Sequence, residues 1–202
     1  MLVGRSEHEA RTEHQYPASP KDVHECRRRI MDEPSRNWYA LFVRSRHEFV
    51  TSEQLQKRGV EVFLPLISKT RRWSDRNKNV LFPLFPGYIF VHVRPNAETF
   101  LNIVSVHGTV SFVTQEPGRP AQVDPQEIQS LQLMLEAGSK GSNIDIYPHL
   151  CEGIRVRVKQ GPLMGAEGIL VKKNDQSMFL VNIDILGRCI GMRINAEDLE
   201  QK

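Results

Sequence analysis

The sequence predicts an α+β chain in two folded parts: an N-terminal α/β sandwich at residues 37–138 and a small C-terminal β-barrel at 150–202. Three observations carry this reading. From Trp38 onward, short aromatic and β-branched runs alternate with segments of helical pattern. Beyond residue 150 the apolar residues switch to a period of two. Between these regions the chain reads Gly-Ser-Lys-Gly-Ser-Asn-Ile-Asp-Ile-Tyr-Pro, which by composition makes residues 139–149 a flexible linker.

Residues 1–36 hold seven basic and seven acidic residues with almost no apolar periodicity, so they read as a disordered extension. The basic triplet Arg27-Arg28-Arg29 is largely cancelled by Glu25, Asp32 and Glu33. At Trp38 the pattern changes. Trp38 to Val43 reads as a buried strand, and His47 to Arg58 as a helix closed by Gly59, with Phe49, Val50 and Leu55 on its apolar face. Val60 to Ile67 is strand-like, with Pro65 marking an edge or bulge. A basic stretch, Lys69 to Lys78, precedes the turn Pro83-Leu84-Phe85-Pro86-Gly87 and the strand Tyr88 to Val93. Asn96 to Ile103 reads as a short helix and Val110 to Val113 as a strand.

The strongest helix signal spans 125–137. Asp124 and Glu127 have capping-box spacing, Pro125 suits the first helical position, and Gly138 suits the end. Ile128, Leu131 and Leu135 fall on one face. In the C-terminal part, Ile154, Val156 and Val158 alternate with Arg155, Arg157 and Lys159, and similar runs follow at Phe179–Ile185 and Ile190–Ile194. About fifty residues make a small core, and closing the sheet removes its edges.

Several function classes are excluded. Hydrophobic residues at 40% and charged residues at 25% rule out a wholly disordered chain. The start lacks an apolar signal region, and Leu81–Val91, the most apolar stretch, is interrupted by Pro83 and Pro86; a soluble protein with no membrane partner is expected. Cys26, Cys151 and Cys189 are odd in number and widely spaced, which indicates neither a disulfide framework nor a zinc ribbon and makes a reducing cytoplasm the simplest compartment. No Gly-rich phosphate loop is present, and His92, His107 and His149 have no Cys or carboxylate neighbours at metal-ligand spacing. Hence no enzyme, cofactor or metal is expected, and Cys151 and Cys189 read as packing residues.

Two clusters stand out. Residues 69–78 hold Lys69, Arg71, Arg72, Arg76 and Lys78 against Asp75 alone, with Trp73 among them. An aromatic beside Arg and Lys suits stacking on an unpaired base while the cations meet phosphates; a solvated hairpin tip fits the pattern equally. The net charge of +3 lies wholly within this stretch, since the remainder sums to minus one. The second cluster is apolar. Phe85, bounded by Pro83 and Pro86, is expected to be held outward by a rigid turn as an interface anchor, with Phe42 nearby.

Trp38-Tyr39-Ala40-Leu41, Pro83-Leu84-Phe85-Pro86-Gly87-Tyr88-Ile89-Phe90-Val91 and Gly108-Thr109-Val110-Ser111-Phe112-Val113 resemble the N-terminal (NGN) domain of NusG-type transcription elongation factors. Glu152 to Gly168 resembles a KOW motif, with Ile185-Leu186-Gly187-Arg188 following at the family's place. The resemblance covers roughly 37–202. It implies that Phe42, Phe85, Ile128 and Leu131, supported by Trp38 and Tyr39, meet the clamp helices of RNA polymerase. It implies that Lys69, Arg71, Arg72, Trp73, Arg76 and Lys78 face the upstream fork or non-template DNA. It also implies that Leu163, Ile185 and Leu186 meet a small-subunit ribosomal protein or the termination factor Rho.

The housekeeping member of the family usually has aromatics where this chain has Leu163, Ala166 and Leu186, a departure that counts against Rho. The expected function is therefore a monomeric, non-enzymatic antiterminator serving particular operons, with a housekeeping elongation factor as runner-up. A different class, an RNA- or ribosome-binding KOW module, is disfavoured by the near balance of nine basic and eight acidic residues from Ser139 onward. The clean alternation after residue 150 predicts a barrel that does not switch to helix.

Overall fold

Strand β1 (Asn37–Val43) is the spine of the first sheet. It pairs antiparallel with β5 (Tyr88–Val93) along one edge, and with β6 (Thr109–Phe112) and the short β9 (Gln122–Val123) along the other. β2 (Glu61–Phe63) extends the sheet beyond β5. This computed structural model describes residues 35–72, 77–139, 143–173 and 176–202, so the expected extension falls almost wholly outside the described residues.

Alternation along β1 divides the core. Tyr39, Leu41 and Val43 enter one apolar cluster with Leu55, Ile89, Val91 and Ile103, while Ala40 and the half-buried Trp38 enter another with Phe85, Phe90, Ile128 and Leu131. Helices α1 (Glu48–Lys57) and α2 (Ala97–Val104) contribute to the first cluster, and α3 (Pro125–Ser139) contributes to the second. The expected sandwich is therefore present. α1 is attached differently from expectation. Its buried stripe is Glu48, Thr51, Ser52 and Leu55, whereas Phe49 and Val50 are exposed. Burial of the polar members is compensated by hydrogen bonds: the Gly87 amide donates to Glu48 Oε1 at 2.8 Å, and Thr51 Oγ1 donates to the His107 carbonyl at 3.3 Å.

The single strand expected at Val60–Ile67 is two. β2 stops before Leu64-Pro65, and β3 (Leu66–Arg72) starts a hairpin with β4 (Asn77–Pro83) that stands apart from the main sheet. Proline cannot donate to a ladder, and the Pro65 carbonyl instead accepts from the Leu84 amide at 2.8 Å. A smaller hairpin, β7 (Thr114–Glu116) with β8 (Arg119–Pro120), precedes α3.

Helix α3 departs from expectation at both ends. Asp124 Oδ1 accepts from the Gln126 amide at 2.8 Å, which is an N-cap. The reciprocal half of the capping box is missing, because the Glu127 carboxylate turns towards the second sheet. Gly138 does not end the helix, which runs to Ser139, and the Gly138 Cα lies against Ile144 where a Cβ would come within 2.6 Å.

The second sheet holds six antiparallel strands, β10 (Asp145–Tyr147), β11 (Ile154–Val158), β12 (Glu167–Lys173), β13 (Gln176–Ile183), β14 (Arg188–Arg193) and β15 (Leu199–Gln201). Their order is β10-β14-β13-β12-β11-β15, the small barrel layer that the period of two predicts. β11, β13 and β14 are the three runs read from the sequence. β10 begins within the stretch assigned to the linker, where Tyr147 pairs with Cys189. β12 escaped notice because Gly168 interrupts its pattern; a Cβ there would meet the Leu180 carbonyl at 2.3 Å and the Phe179 ring at 2.8 Å. Residues 35–202 form one compact unit. Among the described residues, no helix is long and apolar enough to cross a membrane.

Gly108 supplies a test of this framework. It has φ +94°, and a Cβ would lie 2.2 Å from Thr51 Oγ1, on the buried face of α1. Gly108→Ala is expected to lower stability by about 2 kcal/mol or more, read as an earlier midpoint in urea unfolding. An unchanged midpoint would show that α1 is not seated on this turn.

Candidate functional site

The site lies where α3 joins the two sheets. Three α3 side chains reach the second sheet through hydrogen bonds. Gln126 Nε2 donates to the Gly165 carbonyl at 3.4 Å, the Asp184 amide approaches Glu127 Oε1 at 3.5 Å, and the Glu167 amide donates to Ser130 Oγ at 2.9 Å. With successive residues rotated by about 100°, Met134 and Ala137 continue this stripe, and Ala137 borders a cleft shared with Leu163. Ile128 and Leu131 lie on the adjoining stripe. All four apolar residues are buried in one contiguous cluster that also contains Leu163, Ala166, Phe179 and Val181 from the second part of the chain.

The expected polymerase patch and the expected barrel patch thus share a core. Phe85, Ile128 and Leu131 are 0–1% exposed. Leu163 is buried with them, and Ile185 and Leu186 pack against the same cluster, half-buried. The outward-held Phe85 is corrected: its ring meets Phe90 edge-on at 6.3 Å, and the proline-bounded turn delivers it inward. Phe42 alone of the patch is well exposed, 42%, beside Tyr88 at 5.5 Å. Trp38 lies on the α3 side and stacks on His92 at 4.8 Å. Tyr39 is also corrected. Strand alternation sends it to the opposite face, where it meets Phe100 and Phe112, so it does not support this patch.

The described part of the basic stretch lies on β3 and β4. Lys69 is exposed, Arg71 and Lys78 are cross-strand partners, and Arg72 ends β3. Trp73 and Arg76 lie outside the described residues. At the hairpin's base a groove of about 710 Å³ is bordered by Ser45, Arg46, Phe49, Lys69 and Leu81. Arg46 occupies the left-handed region, φ 66°, uncommon for a residue with a Cβ. Sequence reading missed this groove, although the exposed Phe49 belongs to a helix whose buried stripe is largely polar. It also missed Gln126, Glu127 and Ser130. The available signal was a serine set within an apolar helix face.

Glu127 is the electrostatically distinct member. Burial raises its carboxyl from the ordinary 4.5 to about 7, the nearby Asp184 carboxylate adds to the rise, and the Asp184 amide opposes it. Asp124, Arg155, Glu167 and Lys202 border the same cleft. Across it, Glu167 is paired with Arg157 at 2.9 Å and with Lys202 Nζ at 2.5 Å, and the Lys202 hydrogen bond holds its carboxyl below the usual range. Among the described residues, no group of three His, Cys, Asp or Glu side chains is arranged to hold a metal.

Sequence comparison finds similarity to NusG proteins. Residues 36–132 match the family model described as "Transcription termination factor nusG". A Haemophilus influenzae protein named "Transcription termination/antitermination protein NusG" is 23% identical over 158 residues, covering 76% of this chain and 83% of the relative. A Staphylococcus aureus protein of the same name is 24% identical over 179 residues, covering 83% and 96%. A solved structure described as "Domain interaction in Thermotoga maritima NusG" aligns with a TM-score of 0.46 at 22% identity, covering 82% of this chain and 97% of that one.

A pH dependence follows from Glu127. A carboxyl whose pKa is raised in the docked arrangement takes up a proton on docking, so the contact between α3 and the second sheet is strongest below about 4.5 and weakens as pH rises through about 7. NMR signals of the Asp184 and Glu167 amides are expected to shift over that interval, and Glu127→Gln is expected to flatten the response. Titration of Glu127 near 4.5 would contradict the burial that separates it from water.

Proposed function

We propose that the chain is a NusG-type transcription termination/antitermination factor whose α3 surface binds the clamp helices of RNA polymerase. The observation that carries this reading is the shared core of α3 and the second sheet. An apolar helix face covered by another part of the same chain is a surface able to accept a different apolar partner when the cover leaves. Phe42, Phe85, Ile128 and Leu131 would form the polymerase patch, with Trp38 beside them. The stripe Ser130–Met134–Ala137, hidden here by the second sheet, would join them. The arrangement described is then a closed form, and polymerase binding requires the barrel to undock.

Other roles follow from the same proposal. Lys69, Arg71, Arg72 and Lys78, together with Trp73 and Arg76, would face non-template DNA, where phosphate contact needs cations and an aromatic side chain can stack on an unpaired base. Leu163, Ile185 and Leu186 would serve a ribosomal protein or Rho once released, because in the closed form they are buried or half-buried. Service to particular operons is consistent with a surface that is covered until a signal opens it. The proposed role is non-catalytic: one apolar surface exchanges partners, and no bond is made or broken.

Two full-length variants test the reading on immobilised bacterial RNA polymerase. Phe42→Ala removes an exposed ring without touching the shared core and is expected to weaken binding by about 1–2 kcal/mol. Ala166→Arg places a charge at a fully buried position on the barrel side and is expected to raise retention several-fold by opening the closed form. Unchanged retention in both, with the fold intact by circular dichroism, would remove α3 from the polymerase site. RNA affinity with a steep salt slope would then favour the KOW module reading.

A further inference from the structure

Cys151 and Cys189 are 38 positions apart in sequence and adjacent in the fold. Cys189 is the second residue of β14, where it is the register partner of both Asn182 on β13 and Tyr147 on β10. Directly paired residues project to the same face of a sheet, so the Asn182 and Cys189 side chains stand side by side. The Asn182 amide group holds the Cys151 backbone at two points: its Oδ1 accepts from the Cys151 amide at 3.0 Å, and its Nδ2 donates to the Cys151 carbonyl at 3.1 Å. This clamp sets Cys151 over Cys189. Both belong to one small apolar cluster with Tyr147, Met178 and Leu180, where the Cys189 thiol donates to the Ile190 carbonyl at 3.7 Å and the Cys151 thiol to the His149 carbonyl at 4.0 Å. Both are free thiols.

The two thiols differ in access. Cys189 is fully buried, and its thiol pKa is pushed up by burial and by the neighbouring Cys151 thiol. Cys151 is partly exposed and sits in the irregular segment between β10 and β11. Closure of an S–S bond requires the two Cα atoms to be near one another and the Cβ vectors to converge. Strand pairing on one side and the asparagine clamp on the other supply that proximity.

We infer that Cys151 and Cys189 form a reversible dithiol–disulfide modification site that ties the segment between β10 and β11 to β14. The co-reactant is hydrogen peroxide. The Cys151 sulfur attacks one peroxide oxygen, the O–O bond breaks, and water leaves, giving a sulfenic acid. The Cys189 sulfur then attacks the Cys151 sulfur; the S–S bond forms, the S–O bond breaks, and the departing hydroxide takes the Cys189 proton as water. In total two thiols lose two electrons and two protons to one peroxide, which becomes two waters. An external dithiol reverses the bond by exchange. This site is independent of the polymerase reading.

The test uses the full-length chain with Cys26→Ser, which removes the third thiol. Folded protein is exposed to hydrogen peroxide, denatured, alkylated and weighed intact. The expected result is a loss of about two mass units with no alkyl groups added, and a protease map joining the Cys151 and Cys189 peptides; dithiothreitol restores both alkylation sites. Cys151→Ser is expected to leave Cys189 reduced under the same treatment. Two alkylated cysteines after oxidation, or separate sulfinic acids without a linked peptide, would overturn the assignment. The mass measurement is made on the intact pair, so its outcome does not depend on whether a Cys189 variant folds.

Discussion

Everything in the arrangement depends on one helix having apolar partners on two sides. α3 supplies Ile128, Leu131, Met134 and Ala137, all buried, to a cluster that reaches Phe85 and Phe90 in the first part and Phe179 and Val181 in the second. Full burial of an aliphatic side chain of this size contributes roughly 2 kcal/mol, so the helix is strongly held where it stands. Polar contacts add direction. Ser130, Gln126 and Glu127 set the register of the second sheet against the helix, while apolar packing alone would allow it to slide.

In the proposed account the polar contacts are also what makes the docking conditional. A serine hydroxyl and a carboxylate at an interface are easily satisfied by water when the sheet leaves, and Glu127 gains solvation by leaving. An apolar seam of comparable size without them would be a permanent core. In the proposed account this balance lets one surface serve first the chain's own barrel and then polymerase, and the two parts exchange partners without refolding.

Much of the fold was legible because its signals are local. Aromatic and β-branched runs marked β1 and β5, the Pro125 start and apolar spacing marked α3, and a period of two marked β11, β13 and β14. The misses have non-local causes. β12 carries a glycine because the Phe179 ring occupies the space of its side chain, a fact set by the neighbouring strand. The α1 helix buries Glu48 and Thr51 because Gly87 and His107 wait to hydrogen-bond them, and its apolar Phe49 and Val50 are left outside.

The site was legible in its residue types and not in their exposure. Phe85 in a proline-bounded turn reads as an anchor, and nothing in the local sequence says that the anchor's partner lies in the same chain. Tyr39 and Trp38 are neighbours in sequence and occupy opposite faces of the sheet. The central claim is that α3 has one surface and two successive occupants. Its most direct test is fluorescence energy transfer between probes on the first sheet and on the barrel of the full chain while purified bacterial RNA polymerase is added. Loss of transfer in proportion to bound polymerase is the result the account predicts. Saturating polymerase binding with transfer unchanged would contradict it.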